Sequence, residues 1–157
     1  MQSQIFTYVL LAGLAIALLW VIVTDLKSRT ISNHLTLTVA AGAPLYWLAI
    51  GLPLWPGIAW QLGLATLVFA VCCALFAMRQ MGGGDVKLLG ALALWFPWQA
   101  LMTLIMLMAL LGGAVTLVTM IHHRIAKKQG QPEIPYGVAI SIAALCMIGE
   151  RYLNHFA

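Results

Sequence analysis

The sequence predicts an all-α polytopic membrane protein, a single integral domain over residues 1–157 with about six transmembrane helices. Three observations carry this expectation. Of the 157 residues, 63% are hydrophobic and 8% charged, with mean hydropathy +0.99, whereas a soluble domain carries about 25% charged residues. Eight basic and four acidic side chains could not cover a water-soluble globule of this length, and the same apolar excess excludes intrinsic disorder. Long apolar runs recur along the chain, and the segments between them alternate between polar and nearly uncharged.

The first run, Ile5 to Val23, is long enough to span, and Met1 to Gln4 carries no Lys or Arg, so it reads as a retained span rather than a signal peptide. A polar stretch from Thr24 to His34 leads to the second run, Leu35 to Leu52. The uncharged turn Pro53 to Gly57 leads to the third, Ile58 to Ala77. The fourth, Val86 to Trp98, would form only about 20 Å of helix against a hydrocarbon core of about 30 Å, so it cannot cross by itself. The glycines ahead of it are therefore expected to dip into the bilayer zone as irregular backbone lining a cavity. The fifth run, Ala100 to Ile121, follows the corner Phe96-Pro97-Trp98-Gln99. The sixth, Tyr136 to Ile148, follows the polar segment His122 to Pro135.

Cation placement sets the orientation. Lys27, Arg29, Arg79, Lys87, Arg124, Lys127 and Lys128 fall in connections of one parity, and only Arg151 falls on the other side. By the positive-inside rule the first group is cytoplasmic and both termini are not. The net charge of +4 is then explained by topology and contact with lipid phosphates, so no nucleic-acid partner is expected. Trp55, Trp60, Trp95 and Trp98 gather near the uncharged connections, as an interfacial belt would. Cys72, Cys73 and Cys146 lack Cys-x-x-Cys spacing and read as buried small hydrophobes. The methionines at 102, 106 and 108 read as lipid-facing or packing surface, and Gly112-Gly113 as a helix-packing notch.

Asp25 and Asp85 are the only aspartates in the chain, and both fall on the cytoplasmic side. Asp25 ends the first span beside Lys27 and Arg29, where a solvated juxtamembrane charge is the plain alternative. Asp85 follows Gly82-Gly83-Gly84, where an N-cap after a turn is the plain alternative. Together they suit another chemistry. Two facing carboxyl groups that share a proton can act as base and acid, one activating a water and the other donating to a carbonyl oxygen. That chemistry needs no metal and no cofactor. His34 and His122-His123 lack the ligand spacing and third partner of a metal site.

Gly82-Gly83-Gly84-Asp85 resembles the G-x-G-D motif of intramembrane aspartyl proteases. Asp25 with Arg29, Ile31 and Asn33 resembles the first-aspartate motif of type IV prepilin peptidases, usually written D-x-x-x-R-x-I-P-N, with Ser32 in place of the proline. Gly84 to Leu88 and Ile134-Pro135-Tyr136-Gly137 resemble two further elements of that family, the latter usually Ile-Pro-Phe-Gly. The resemblance implies that Asp25 and Asp85 form a catalytic pair, supported by Gly82, Gly84, Lys87, Arg29, Asn33, Pro135 and Gly137. It implies a bacterial inner-membrane enzyme without metal or cofactor. Its partner would be a prepilin with a basic leader and an apolar helix, cut just before that helix at the cytoplasmic face. The chain resembles the short, peptidase-only branch found with tight-adherence pilus systems, without the Cys-x-x-Cys region and methylation of larger members. Lys87 is expected to snorkel to the headgroups.

Two rivals stand beside the peptidase. A non-catalytic assembly protein of the same fold would bind prepilins without cutting them. A small proton or cation transporter would use the two carboxylates as relay groups, but the outer halves of the spans offer no acidic residues to continue a relay, and no inverted pair of broken helices is present.

Overall fold

The computed structural model describes residues 2–125 and 136–153, with side chains described for residues 4–122, 125 and 136–150. Six α-helices account for most of them: α1 (Gln2–Ser28), α2 (Asn33–Ala49), α3 (Ala59–Ala77), α4 (Gly83–Ala93), α5 (Trp98–Ile125) and α6 (Tyr136–Leu153). No strand occurs among the described residues. Every apolar run of the sequence carries a helix, but several ends move by three to five residues. Helix α1 continues past Val23 and takes Asp25 into its last turn, and α4 stops at Ala93 rather than Trp98.

Three stretches are long and apolar enough to cross a membrane: Gln4–Ser28, Leu54–Ala77 and Trp98–His122. They turn large apolar side chains outward, among them Ile16, Trp20, Leu67, Leu110 and Leu117, which suits surroundings of lipid. Two of the three shorter helices, α4 and α6, lie largely inside. Helix α4 packs against α2, α3 and α6, and α6 packs against α1, α4 and α5. Leu88, Leu92 and Ala93 of α4 and Ala139, Ile140, Ala143 and Ala144 of α6 are fully buried. Helix α4 is too short to cross alone, and its neighbours enclose it instead.

A helix that ends inside a bundle leaves its last carbonyls without water. Side chains from α2 and α3 meet them here. The Gln61 amide donates to the carbonyls of Ala93 and Phe96, each at 2.7 Å, and the Trp47 indole N–H donates to Leu94 at 2.8 Å. Trp95 is turned the other way, its N–H donating to Val39 at 2.8 Å and its ring lying over Gly42, where a Cβ would come within 2.7 Å of the ring. Trp95 is therefore core, not part of an interfacial belt, whereas Trp55, Trp60 and Trp98 are exposed. Of the cysteines only Cys72 is buried; Cys73 and Cys146 face outward, because adjacent helical positions point in different directions. Met102 and Met106 are exposed as expected. Gly112 is a packing notch for α6, but Gly113 has open space beside it.

Replacing Gln61 by Leu is expected to destabilise the bundle by about 2 kcal/mol or more, since two buried carbonyls lose their donor at about 1–3 kcal/mol for each unsatisfied group. A melting curve in detergent micelles checks this. A midpoint within a degree of wild type would show that α4 is not held by this residue.

Candidate functional site

The end of the bundle where α1 and α3 finish and α2, α4 and α6 begin holds a cavity of about 490 Å³ lined by both aspartates. Local sequence explains how each arrives there. Helix α1 terminates at Ser28, with Arg29 in the left-handed region at φ 54 and its N–H bonded to the Asp25 carbonyl at 3.1 Å. Arg79 closes α3 in the same way at φ 59. Such a conformation ordinarily favours glycine at a helix terminus, so each arginine is held there at a cost of about 1–2 kcal/mol. Four residues on, Ser32 starts α2 as its N-cap, accepting from the Leu35 N–H at 3.3 Å.

Ser32 also accounts for the missing proline. Its φ of −65 is the angle a proline ring enforces, so the backbone keeps the shape while the hydroxyl adds a cap. Ser32→Pro is expected to keep stability within about 1 kcal/mol. Thermal melting checks it, and a collapse would show that the hydroxyl has a further task.

Helix α4 begins at Gly82, the N-cap, with Gly83 and Gly84 already helical and Asp85 at the third helical position. Asp85 is thus not the N-cap. Its carboxylate turns back on the Gly82 amide, and a Cβ on Gly82 would stand 2.8 Å from Asp85 Oδ2. The three glycines line the cavity, but none uses a positive φ, and Gly83 and Gly84 are helical rather than irregular: the glycines serve close approach, not unusual backbone. A Cβ on Gly83 would meet the Phe76 ring at 3.3 Å, and one on Gly84 would meet Ile31 at 3.1 Å.

Asp25 is only 5% exposed, which excludes a solvated boundary charge. Its Oδ2 accepts the Val138 N–H at 3.1 Å, from the first turn of α6. A Cβ on Gly137 would lie 2.9 Å from the same oxygen. One free amide of α6 is therefore satisfied by a carboxylate from α1, a long-range version of helix capping. Asp85 is half-buried, and burial pushes its carboxyl up to about 6; the negative charge of Asp25 pushes the same way and the Gly82 amide opposes both.

Of the residues expected at the site, Asp25, Arg29, Gly82, Gly84 and Asp85 line one cavity, and Gly137 abuts Asp25. Lys87 and Asn33 do not join them. The Lys87 ammonium donates to Asn33 Oδ1 at 2.8 Å, at the mouth of a neighbouring groove of about 530 Å³ between α2, α3 and α4. Lys87 is exposed and reaches this partner because α2 and α4 pack together with their starts at the same end of the bundle. Pro135 lies outside the described residues, as do Lys127 and Lys128 and the side chains of Arg124 and Arg151. Ile31 and Tyr136, named above only as parts of the two motifs, also line the cavity, and the Val138 amide joins them without a mark of its own in the sequence. The parity of the spans held the signal for that amide: a sixth helix beginning at this end must present its unbonded amides there.

The helical bundle thus brings two carboxyl groups from separate helices to one cavity at one of its ends. The model of the type IV leader peptidase family matches residues 12–117, which include both aspartates, and the chain belongs to that family. It is 29% identical over 151 residues to a prepilin leader peptidase/N-methyltransferase of Burkholderia pseudomallei (strain 1026b), covering 90% of this chain and 47% of the relative. It is 32% identical over 139 residues to one of Aeromonas salmonicida (strain A449), covering 82% of this chain and 46% of the relative. The chain thus spans about half the length of these curated relatives. No solved structure matches it.

Proposed function

We propose that this chain is an aspartic endopeptidase of a bacterial inner membrane that removes the leader of type IV prepilin-like substrates, with Asp25 and Asp85 as its catalytic pair. The observation that carries this is the convergence of the chain's only two aspartates, 60 positions apart, on one cavity. The resemblance and the relatives' names point to a prepilin as substrate, and the likeness to the peptidase-only branch makes the tight-adherence type the one to try first.

The residues perform the reaction as follows. A water between the carboxyl groups attacks the scissile carbonyl, Asp25 takes its proton, and Asp85 gives its own to the carbonyl oxygen. The tetrahedral intermediate collapses as Asp25 passes its proton to the departing amine and Asp85 recovers one from the oxygen. Asp85 suits the acid role because its carboxyl stays protonated up to about pH 6. Cleavage is therefore expected to fall on the alkaline side once pH rises past this region, where both groups are charged. Gly82 leaves room for the Asp85 carboxyl group and Gly84 for Ile31, and Arg29 closes α1 beside Asp25.

All six helices lie in the membrane in this reading, as one domain, with the aspartates at the cytoplasmic face and both termini on the opposite side. Lys27, Arg29, Arg79 and Lys87 belong to that cytoplasmic end. The test is a purified system: the chain in detergent micelles with a tight-adherence prepilin, the product read by intact mass. A new amino terminus after the basic leader is expected. Binding of the prepilin without a cut would favour the assembly-protein reading and overturn the enzyme.

A further inference from the structure

We infer that Ile31 is a positioning residue, a spacer whose size sets the separation of the two carboxyl groups. This rests on the catalytic pairing proposed above and names the part of the site that fixes its geometry. Ile31 lies in the link between α1 and α2, half-buried in the cavity wall. On one side its Cβ and Cγ1 lie 3.1 and 3.3 Å from where a Cβ on Gly84 would stand, directly before Asp85. On the other its Cδ1 lies 2.8 Å from where a Cβ on Gly137 would stand, and that position is itself 2.9 Å from Asp25 Oδ2. A single side chain thus rests against the start of α4 beside one aspartate and the start of α6 beside the other.

Neither glycine has a positive φ, so what the two positions have in common is the lack of a side chain where Ile31 presses. A β-branched residue is stiff at χ1, which suits it to hold a distance. The other charged or titratable groups facing the pair are Arg29 from the link and Tyr136 from α6; Lys87 of α4 is engaged by Asn33. None of these touches both glycines.

The spacer is tested by shrinking and enlarging the same line of contact. Single-turnover cleavage by the purified chain is followed against pH for Ile31→Val, Ile31→Ala and Gly84→Ala. Shrinking Ile31 lets α4 and α6 close, which strengthens the coupling of the carboxyl groups and moves the alkaline limb upward, more for Ala than for Val. Gly84→Ala wedges the helices apart and moves it downward. Shifts of about half a pH unit or more, in opposite directions, are expected. Should Ile31→Ala fail to fold, Ile31→Val and Gly84→Ala carry the comparison. A limb that stays in place, or moves the same way in both kinds of variant, overturns the spacer and leaves Ile31 as ordinary packing. Cleavage that survives in Asp25→Asn or Asp85→Asn instead brings down the catalytic pairing, so the two failures are distinct.

Discussion

Asp25→Asn and Asp85→Asn should each lower leader cleavage by at least about 100-fold while the protein still inserts and melts like wild type. The magnitude follows from the usual contribution of a positioned acid or base, about 10²–10⁴. An asparagine keeps the shape of either side chain and can still accept the Val138 N–H through its carbonyl oxygen, so the local packing around Asp25 survives the change. What is lost is the exchangeable proton. Because each carboxyl group needs the other, the double variant should be scarcely worse than either single one. Intact mass of a prepilin incubated with each variant is the measurement. Full processing by either would remove the paired-carboxylate mechanism.

Gly137→Ala should cost nearly as much although it adds one methyl group and no charge. The new Cβ would stand 2.9 Å from Asp25 Oδ2 and 2.8 Å from Ile31 Cδ1, both closer than real contacts allow, and 3.1 Å from Asp25 Cγ, so the carboxyl group, the Ile31 tip or the start of α6 must move. A displacement approaching 1 Å at a reacting group costs about 100-fold, and the loss should appear in kcat rather than KM. Gly63→Ala is the matched control. Nothing lies within 4 Å of its Cβ position, so it should leave activity unchanged and add up to about 1 kcal/mol of helix stability. Equal activity of the two variants would show that the contact at Gly137 yields freely.

Much of the bundle was legible because hydropathy and charge act on whole segments. The apolar runs marked the helices, and Asp25 and Asp85 were found by their scarcity. What stayed hidden depends on which way one side chain turns at a given depth. An indole beside an uncharged turn can bond to interfacial water or to a buried carbonyl, and Trp95 takes the second course with Val39. Lys87 suggested a snorkel, and nothing in its spacing announced the bond to Asn33, a partner 54 positions away. The amide of Val138 on Asp25 was invisible for a different reason. Backbone donors leave no trace in composition, and only the assembled bundle sets a helix start against a carboxylate.

The donors gathered at the far end of α4 act on the cavity through leverage. A helix of this length is a rod of about 16 Å, and Asp85 rides on one tip while Gln61 and Trp47 hold the other. Orientation of the rod comes from the buried leucines, and the bonds to its terminal carbonyls oppose translation along its axis together with the Lys87–Asn33 bond near its start. The height of Asp85 relative to Asp25 is therefore set partly from the far end of α4, by residues that do not line the cavity.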